Sequence, residues 1–113
     1  MSVDAISLAA KALDGMQMRS AALASNIANI NSPRFQPLEV NFESALRKAA
    51  GGGPEALADL HFAFTAGRAL APGDERREDL MLVDASHNAM RYAALADMTG
   101  RRFAILSAAI GGR

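Results

Sequence analysis

The sequence predicts a mainly all-α fold in which long helices at the two ends of the chain pair as an antiparallel coiled coil, joined by a short irregular or extended middle. Three observations predict it. Apolar residues recur in alternating steps of three and four near the start of the chain, they do so again near its end, and glycine and proline interrupt the stretch between. Steps of three and four put side chains on one helix face, and repeated over heptads they make a coiled-coil seam.

The first axial helix takes residues 1–31. From Asp4 to about Ile30 the stripe is Ile6, Ala9, Leu13, Met16, Leu23, Ile27 and Ile30, with Ser20 as its gap. Asp4 suits the positive end of the helix dipole. Gly15 costs up to about 1 kcal/mol against Ala inside a helix, so it marks either a close backbone approach or a weak point. The helix ends in Leu-Ala-Ser-Asn-Ile-Ala-Asn-Ile-Asn-Ser-Pro-Arg-Phe, residues 23–35. Asn26 and Asn29 weaken the helix they sit in, because their amides compete for backbone groups. Pro33 drives Ser32 out of the helical region and stops the helix near Asn31. A plain C-terminal stop uses the same residues, yet so many amides together call for a tertiary reason.

Residues 32–78 form a turn and linker. Glu43 to Ala50 fits one or two helical turns, Gly51-Gly52-Gly53-Pro54 and Ala71-Pro72-Gly73 mark turns, and alternation at Leu60, Phe62 and Phe64 fits a short strand or extended segment. The triple glycine is a flexible turn, since no Lys-Ser or Lys-Thr follows it to make a phosphate loop. The second axial helix takes residues 79–113. Its stripe is Leu82, Ala85, Ala89, Tyr92, Ala96, Thr99, Phe103, Leu106 and Ile110, with Met81 and Leu95 beside it. Asp74, Glu75, Glu78 and Asp79 gather at its start, Arg101 and Arg102 lie toward its far end, and Gly111-Gly112 supplies a stop.

The chain of 113 residues makes one domain with a modest core. Half its residues are apolar and only 5% aromatic, which suits close helix packing through small side chains. Twelve basic residues balance twelve acidic ones, so no global field recruits nucleic acid or an anionic membrane. Absence of cysteine excludes disulfides and thiolate metal sites. No apolar run is long enough to insert in a membrane, and no cleavable signal pattern opens the chain, so the residues alone read as cytoplasmic. Nor is an enzyme expected. His61 and His87 fall in different elements without metal-ligand spacing, and Asp84, Ser86 and His87 are too close in sequence on one helix to form a nucleophile, base and orienter. Catalytic, cofactor and metal sites are all expected to be absent.

The run Leu23 to Asn29, followed by Asn31-Ser32-Pro33 and Phe35, resembles the N-terminal signature of the bacterial flagellar rod and hook proteins. Phe35-Gln36-Pro37-Leu38-Glu39-Val40-Asn41-Phe42-Glu43-Ser44-Ala45-Leu46 is similar to the continuation in the family's proximal rod branch. His87-Asn88-Ala89-Met90-Arg91-Tyr92 resembles its C-terminal Asn-plus-Tyr helix, and Arg101-Arg102-Phe103 with Ala109-Ile110-Gly111 its ending. The likeness covers both ends and misses the middle. Arg34 stands where the family usually has Gly, Met81 where an acidic residue is common, and the stretch from Ala49 to Asp79 is shorter than in most of its members.

The resemblance implies a torque-transmitting structural subunit of the rod in the flagellar basal body, exported without a cleaved signal peptide. It implies as partners copies of the chain, other rod proteins of the FlgC and FlgF type, the rod adaptor FliE, the MS ring and the flagellar type III export apparatus. It makes assembly residues of Ile6, Leu13, Met16, Leu23, Ile27 and Ile30 on the first helix and of Leu82, Asn88, Tyr92, Phe103, Leu106 and Ile110 on the second. Asn26, Asn29 and Asn31 are expected to tie the helix end to neighbouring backbone, Pro33 and Phe35 to fix the exit, and Phe42 and Leu46 to dock the next segment. Tyr92 should pack on the first helix. Leu8, Met18, Met90, Ile105 and Ala108, off the main stripes, are left to meet other subunits. Another rod subunit such as FlgC, or a cytoplasmic helical adaptor or export chaperone, also accommodates the stripes.

Overall fold

A computed structural model describes residues 3–67 and 78–111. The Ala71-Pro72-Gly73 turn, Asp74 and Glu75 of the acidic cluster, and Gly112 lie outside the described residues. In chain order the elements are α1 (Val3–Asn29), β1 (Leu38–Glu39), α2 (Phe42–Gly51), α3 (Pro54–Ala58), β2 (Thr65–Ala66) and α4 (Glu78–Gly111). The long helices α1 and α4 pack against each other antiparallel, and the short elements lie on the flank of α1. The molecule is a rod, 62 × 27 × 14 Å.

Helix α1 is packed on two faces. Toward α4 it presents the stripe read from the sequence, with Ala9 and Ile30 buried and Ile6, Leu13, Met16, Leu23 and Ile27 half-buried. Its other face carries Gly15, Met18, Arg19, Ala22 and Asn26. There the chain returns after the Asn-Pro turn and lays Val40 and Phe42 onto Ala22, with Met16, Met18, Leu38 and Phe62 packed round them. Met18 therefore belongs to the chain's own core, not to an outer contact as the stripe had left it.

The turn out of α1 begins with Ser32 N–H donating to the Asn29 carbonyl at 2.9 Å. Arg34 then takes φ 57°, the left-handed region that costs a non-glycine residue about 1–3 kcal/mol. Here the resemblance's usual Gly has its physical reason. Arg34→Gly should raise the free energy of unfolding by up to about 1 kcal/mol, the relief being partly offset by glycine's greater freedom in the unfolded chain. Urea unfolding checks this, and a loss of stability would contradict the turn geometry.

The described part of the middle, to residue 67, holds more secondary structure than the sequence indicated. Helix α2 covers the expected turns, but α3 was not foreseen: Gly53 at φ 89° leads into Pro54 in the first turn and Glu55 behind it. Leu60, Phe62 and Phe64 form no strand; 61–64 is unpaired backbone, and pairing begins at Thr65. The ladder is antiparallel, Leu38 opposite Ala66 and Glu39 opposite Thr65. Phe62 instead meets the Phe42 ring edge-on at 5.9 Å between centroids, which decides its direction. Phe64 stays half exposed.

Helix α4 turns toward α1 a face shifted by part of a turn from the expected stripe, sharing Ala85, Ala96, Thr99 and Leu106 with it. Its inward residues are Met81, Ala85, Asn88, Leu95, Ala96, Thr99 and Leu106. Leu82, expected on the seam, is 51% exposed, whereas Phe103 and Ile110 keep to the side of Ala96 and Thr99 and are 58% and 77% exposed because α4 there runs past the start of α1. Tyr92, expected to pack on the first helix, lies at the edge, 37% exposed. The cause is polar. Asn88 Nδ2 donates to the Met16 carbonyl at 2.9 Å and to Ser20 Oγ at 3.2 Å, and burying that amide against α1 sets the rotation of the whole helix. Ser20, the gap in the first stripe, is where the amide enters.

Candidate assembly surface

The junction of α1, β1 and α2 is built around two side chains of α1. Asn26, 6% exposed, donates from Nδ2 to the Leu38 carbonyl at 2.9 Å and accepts from Leu38 N–H at 2.8 Å through Oδ1. Its amide thus pairs with Leu38 as a neighbouring strand would, on the side away from β2. Arg19 forks onto the Glu43 carboxylate with two contacts of 2.6 Å, donates to the Val40 carbonyl at 2.7 Å, and lies 4.4 Å above the centre of the Phe42 ring. The guanidinium hydrogen bonds hold the Glu43 carboxyl below the usual carboxylate range. Beneath the ring is Gly15, where a Cβ would fall 2.3 Å from Phe42 Cγ. Gly15 is the close approach, not the weak point.

The three signature asparagines do not share one role. Asn26 docks the returning chain. Asn29 is exposed and donates to the carbonyl of Ser25 in its own helix at 2.8 Å, and Asn31 is exposed. Of the expected ties to neighbouring backbone, that of Asn26 reaches across to the returning chain, whereas that of Asn29 stays within the last turns of α1. Pro33 is exposed in the turn, Phe35 is buried at 6%, Phe42 at 3%, and Leu46 is half-buried. Sequence reasoning missed Arg19 and Gly15 as partners of Phe42. The only signal was their spacing of four residues, which places both on one face of α1.

Two recesses flank α1. A groove of about 480 Å³ with mostly apolar walls lies between its first half and α2–α3, lined by residues including Leu8, Lys11, Pro54 and Leu57 and edged by Asp4 and Asp14. A more polar notch of about 440 Å³ lies where Arg19 and Glu39 meet Asp84, His87, Asn88 and Arg91 of α4. His61 and His87 are exposed. Among the described residues no group of three His, Asp or Glu is placed to hold a metal ion, and no helix is long and apolar enough to cross a membrane.

The most unusual surface belongs to α4. Among the described residues, nine of the ten exposed large apolar side chains are on this one helix, so a single element accounts for the molecule's outward hydrophobicity. Leu80, Val83, Met90, Met98 and Ile105 join Leu82, Tyr92, Phe103 and Ile110 in ringing it. Between them stand the exposed Asp84, His87, Arg91, Asp97, Arg101 and Arg102, and exposed apolar side chains gathered on one element in this way mark an interaction surface. The far end of α4 also extends past the described part of α1, with Leu106 alone half-buried there. Asn88 stands opposite the Met16–Ser20 turn, so in antiparallel register α4 draws level with the start of α1 near Phe103. Ala104 to Gly111 then run on for about 12 Å at 1.5 Å per residue.

No protein-family model matches this chain, and no curated protein matches it.

Proposed function

We propose that the chain is a structural subunit of the bacterial flagellar rod, in the place of the proximal rod protein FlgB. The observation supporting assembly is the ring of exposed apolar side chains on α4, which a solitary soluble domain has no use for. The residues supporting this particular assembly are the signature run from Leu23 to Phe35 and its continuation to Leu46. Those residues hold the returning segment against α1 through Asn26, Phe35 and Phe42, leaving exposed the side of α4 turned from α1. On this reading the protein is a passive element of the drive shaft with no enzymatic activity. Its neighbours are copies of itself, FlgC- and FlgF-type rod proteins, FliE and the MS ring, and the flagellar type III apparatus exports it. Helices packed side by side along an axis resist twist because the load is spread over many contacts.

Cryo-electron microscopy of basal bodies from the source cells tests the assignment: density beside the rotor ring should fit α1 and α4 paired. Absence from intact basal bodies, with the protein soluble in the cytoplasm, would favour a helical adaptor or export chaperone. A genetic test complements it. Met90 and Ile105 are 69% and 63% exposed, so Met90→Glu with Ile105→Glu should change the monomer's stability by no more than about 0.5 kcal/mol. The same variant should abolish swimming, scored in soft agar with protein levels checked; normal motility would contradict the proposed role of α4.

A further inference from the structure

We infer that the overhanging end of α4 docks into the groove between α1 and α2–α3 of a second copy, giving a head-to-tail contact between identical chains. The inference rests on the assembly reading above and specifies which surfaces of two copies meet. Three features of the fold support it. The first is apolar complementarity: Phe103, Ile105 and Ile110 at the end of α4 are all more than half exposed, and the groove is walled by Leu8, Pro54 and Leu57. No α4 residue of the same chain lines the groove, so the chain's own last helix does not fill it.

The second feature is length. Along α1 the groove runs from Asp4 to Asp14, about 15 Å at the helical rise, and the overhang of α4 is about 12 Å. Two helical turns therefore fit with their whole apolar end covered. The third is charge. Arg101 is paired with Asp97 on its own helix at 3.1 Å, and Arg102 beside it has Thr99 and Met98, not an acidic residue, three and four places before it. Between Arg102 and Gly111 there is no acidic residue, whereas the groove's edges carry Asp4 and Asp14. Lys11, the one cation lining the groove, points its ammonium at the Leu60 carbonyl, 2.9 Å away. Arg102 and the apolar tip that follows it thus meet an apolar slot with Asp4 and Asp14 among its lining. Because the two surfaces differ, the contact is heterologous and propagates copy to copy instead of closing a two-fold pair.

The chain contains no cysteine, which makes a direct test simple. Ile110→Cys and Ala58→Cys place single thiols on the tip and on the groove edge, both at exposed positions. The two full-length variants are purified, mixed and treated with a short bis-maleimide. The mixed pair should give covalent dimer at least five-fold faster than either variant alone. Adding Asp14→Arg to the Ala58→Cys chain should slow that reaction several-fold, and so should raised salt, which screens Arg102 from the groove's carboxylates. Mixed cross-linking no faster than the separate variants, at any concentration the protein tolerates, would overturn the inference. Dominant tip-to-tip dimers from Ile110→Cys alone would overturn it equally. Either failure leaves the rod assignment to the basal-body density, which reports location independently of this contact.

Discussion

Gly15→Ala should destabilise the protein by about 1–3 kcal/mol, and the same substitution should become stabilising once Phe42 is truncated. Alanine in a helix interior is worth about 1 kcal/mol over glycine. Here its methyl would sit 2.3–2.7 Å from Phe42 Cγ, Cδ2 and Cβ. The ring cannot step aside, because Arg19 lies over it and Phe62 meets it edge-on. Overpacking of this kind costs more than the propensity returns. Phe42→Ala, which empties the centre of the core cluster, should itself cost about 3–5 kcal/mol. With the ring gone, Gly15→Ala has room and recovers about 1 kcal/mol. Urea unfolding of the four proteins, followed by circular dichroism, yields the coupling directly. Stabilisation by Gly15→Ala in both backgrounds would show that Phe42 does not rest on that glycine.

Asn26→Ala should cost about 2–4 kcal/mol, since it strips partners from both the N–H and the carbonyl of Leu38 in a half-buried position. Asn29→Ala serves as its contrast. That side chain is exposed and bonds only within its own helix, so the change should stay within about 0.5 kcal/mol. Asn26→Asp is more diagnostic still. A carboxylate keeps the bond from Leu38 N–H but faces the Leu38 carbonyl with charge. Only the protonated acid can donate there, so the folded state raises its pKa, binds the proton more tightly than the unfolded chain, and gains stability as pH falls. Equal losses in Asn26→Ala and Asn29→Ala would remove the distinction between the signature asparagines.

Periodicity located α1, α2 and α4 because each has a face that must be buried, and burial leaves a mark at every third or fourth residue. It could not orient α4. Apolar side chains occur on more than one side of that helix, so neighbouring stripes compete, and a polar residue, Asn88, marks the side that faces Met16 and Ser20. The family resemblance had marked Asn88 without supplying its partner. The Gly usual at the place of Arg34 in the signature that the chain resembles pointed to the left-handed turn. Helix α3 was legible in hindsight, from Pro54 in the first turn with Glu55 after it. The β1–β2 pairing was not, because two-residue strands far apart in sequence leave no period to detect.

One amide also works as a ruler. Moving α4 along α1 by a heptad, about 10.5 Å, would take Asn88 from the Met16 carbonyl and Ser20 hydroxyl and set it against the apolar stripe. A buried amide without partners costs more than such a shift could recover. The internal register is thereby locked, and with it the distance from groove to tip within each molecule. In a stack built by the inferred contact, the spacing between successive copies would be an intramolecular constant, measured out by Asn88 before any two copies meet.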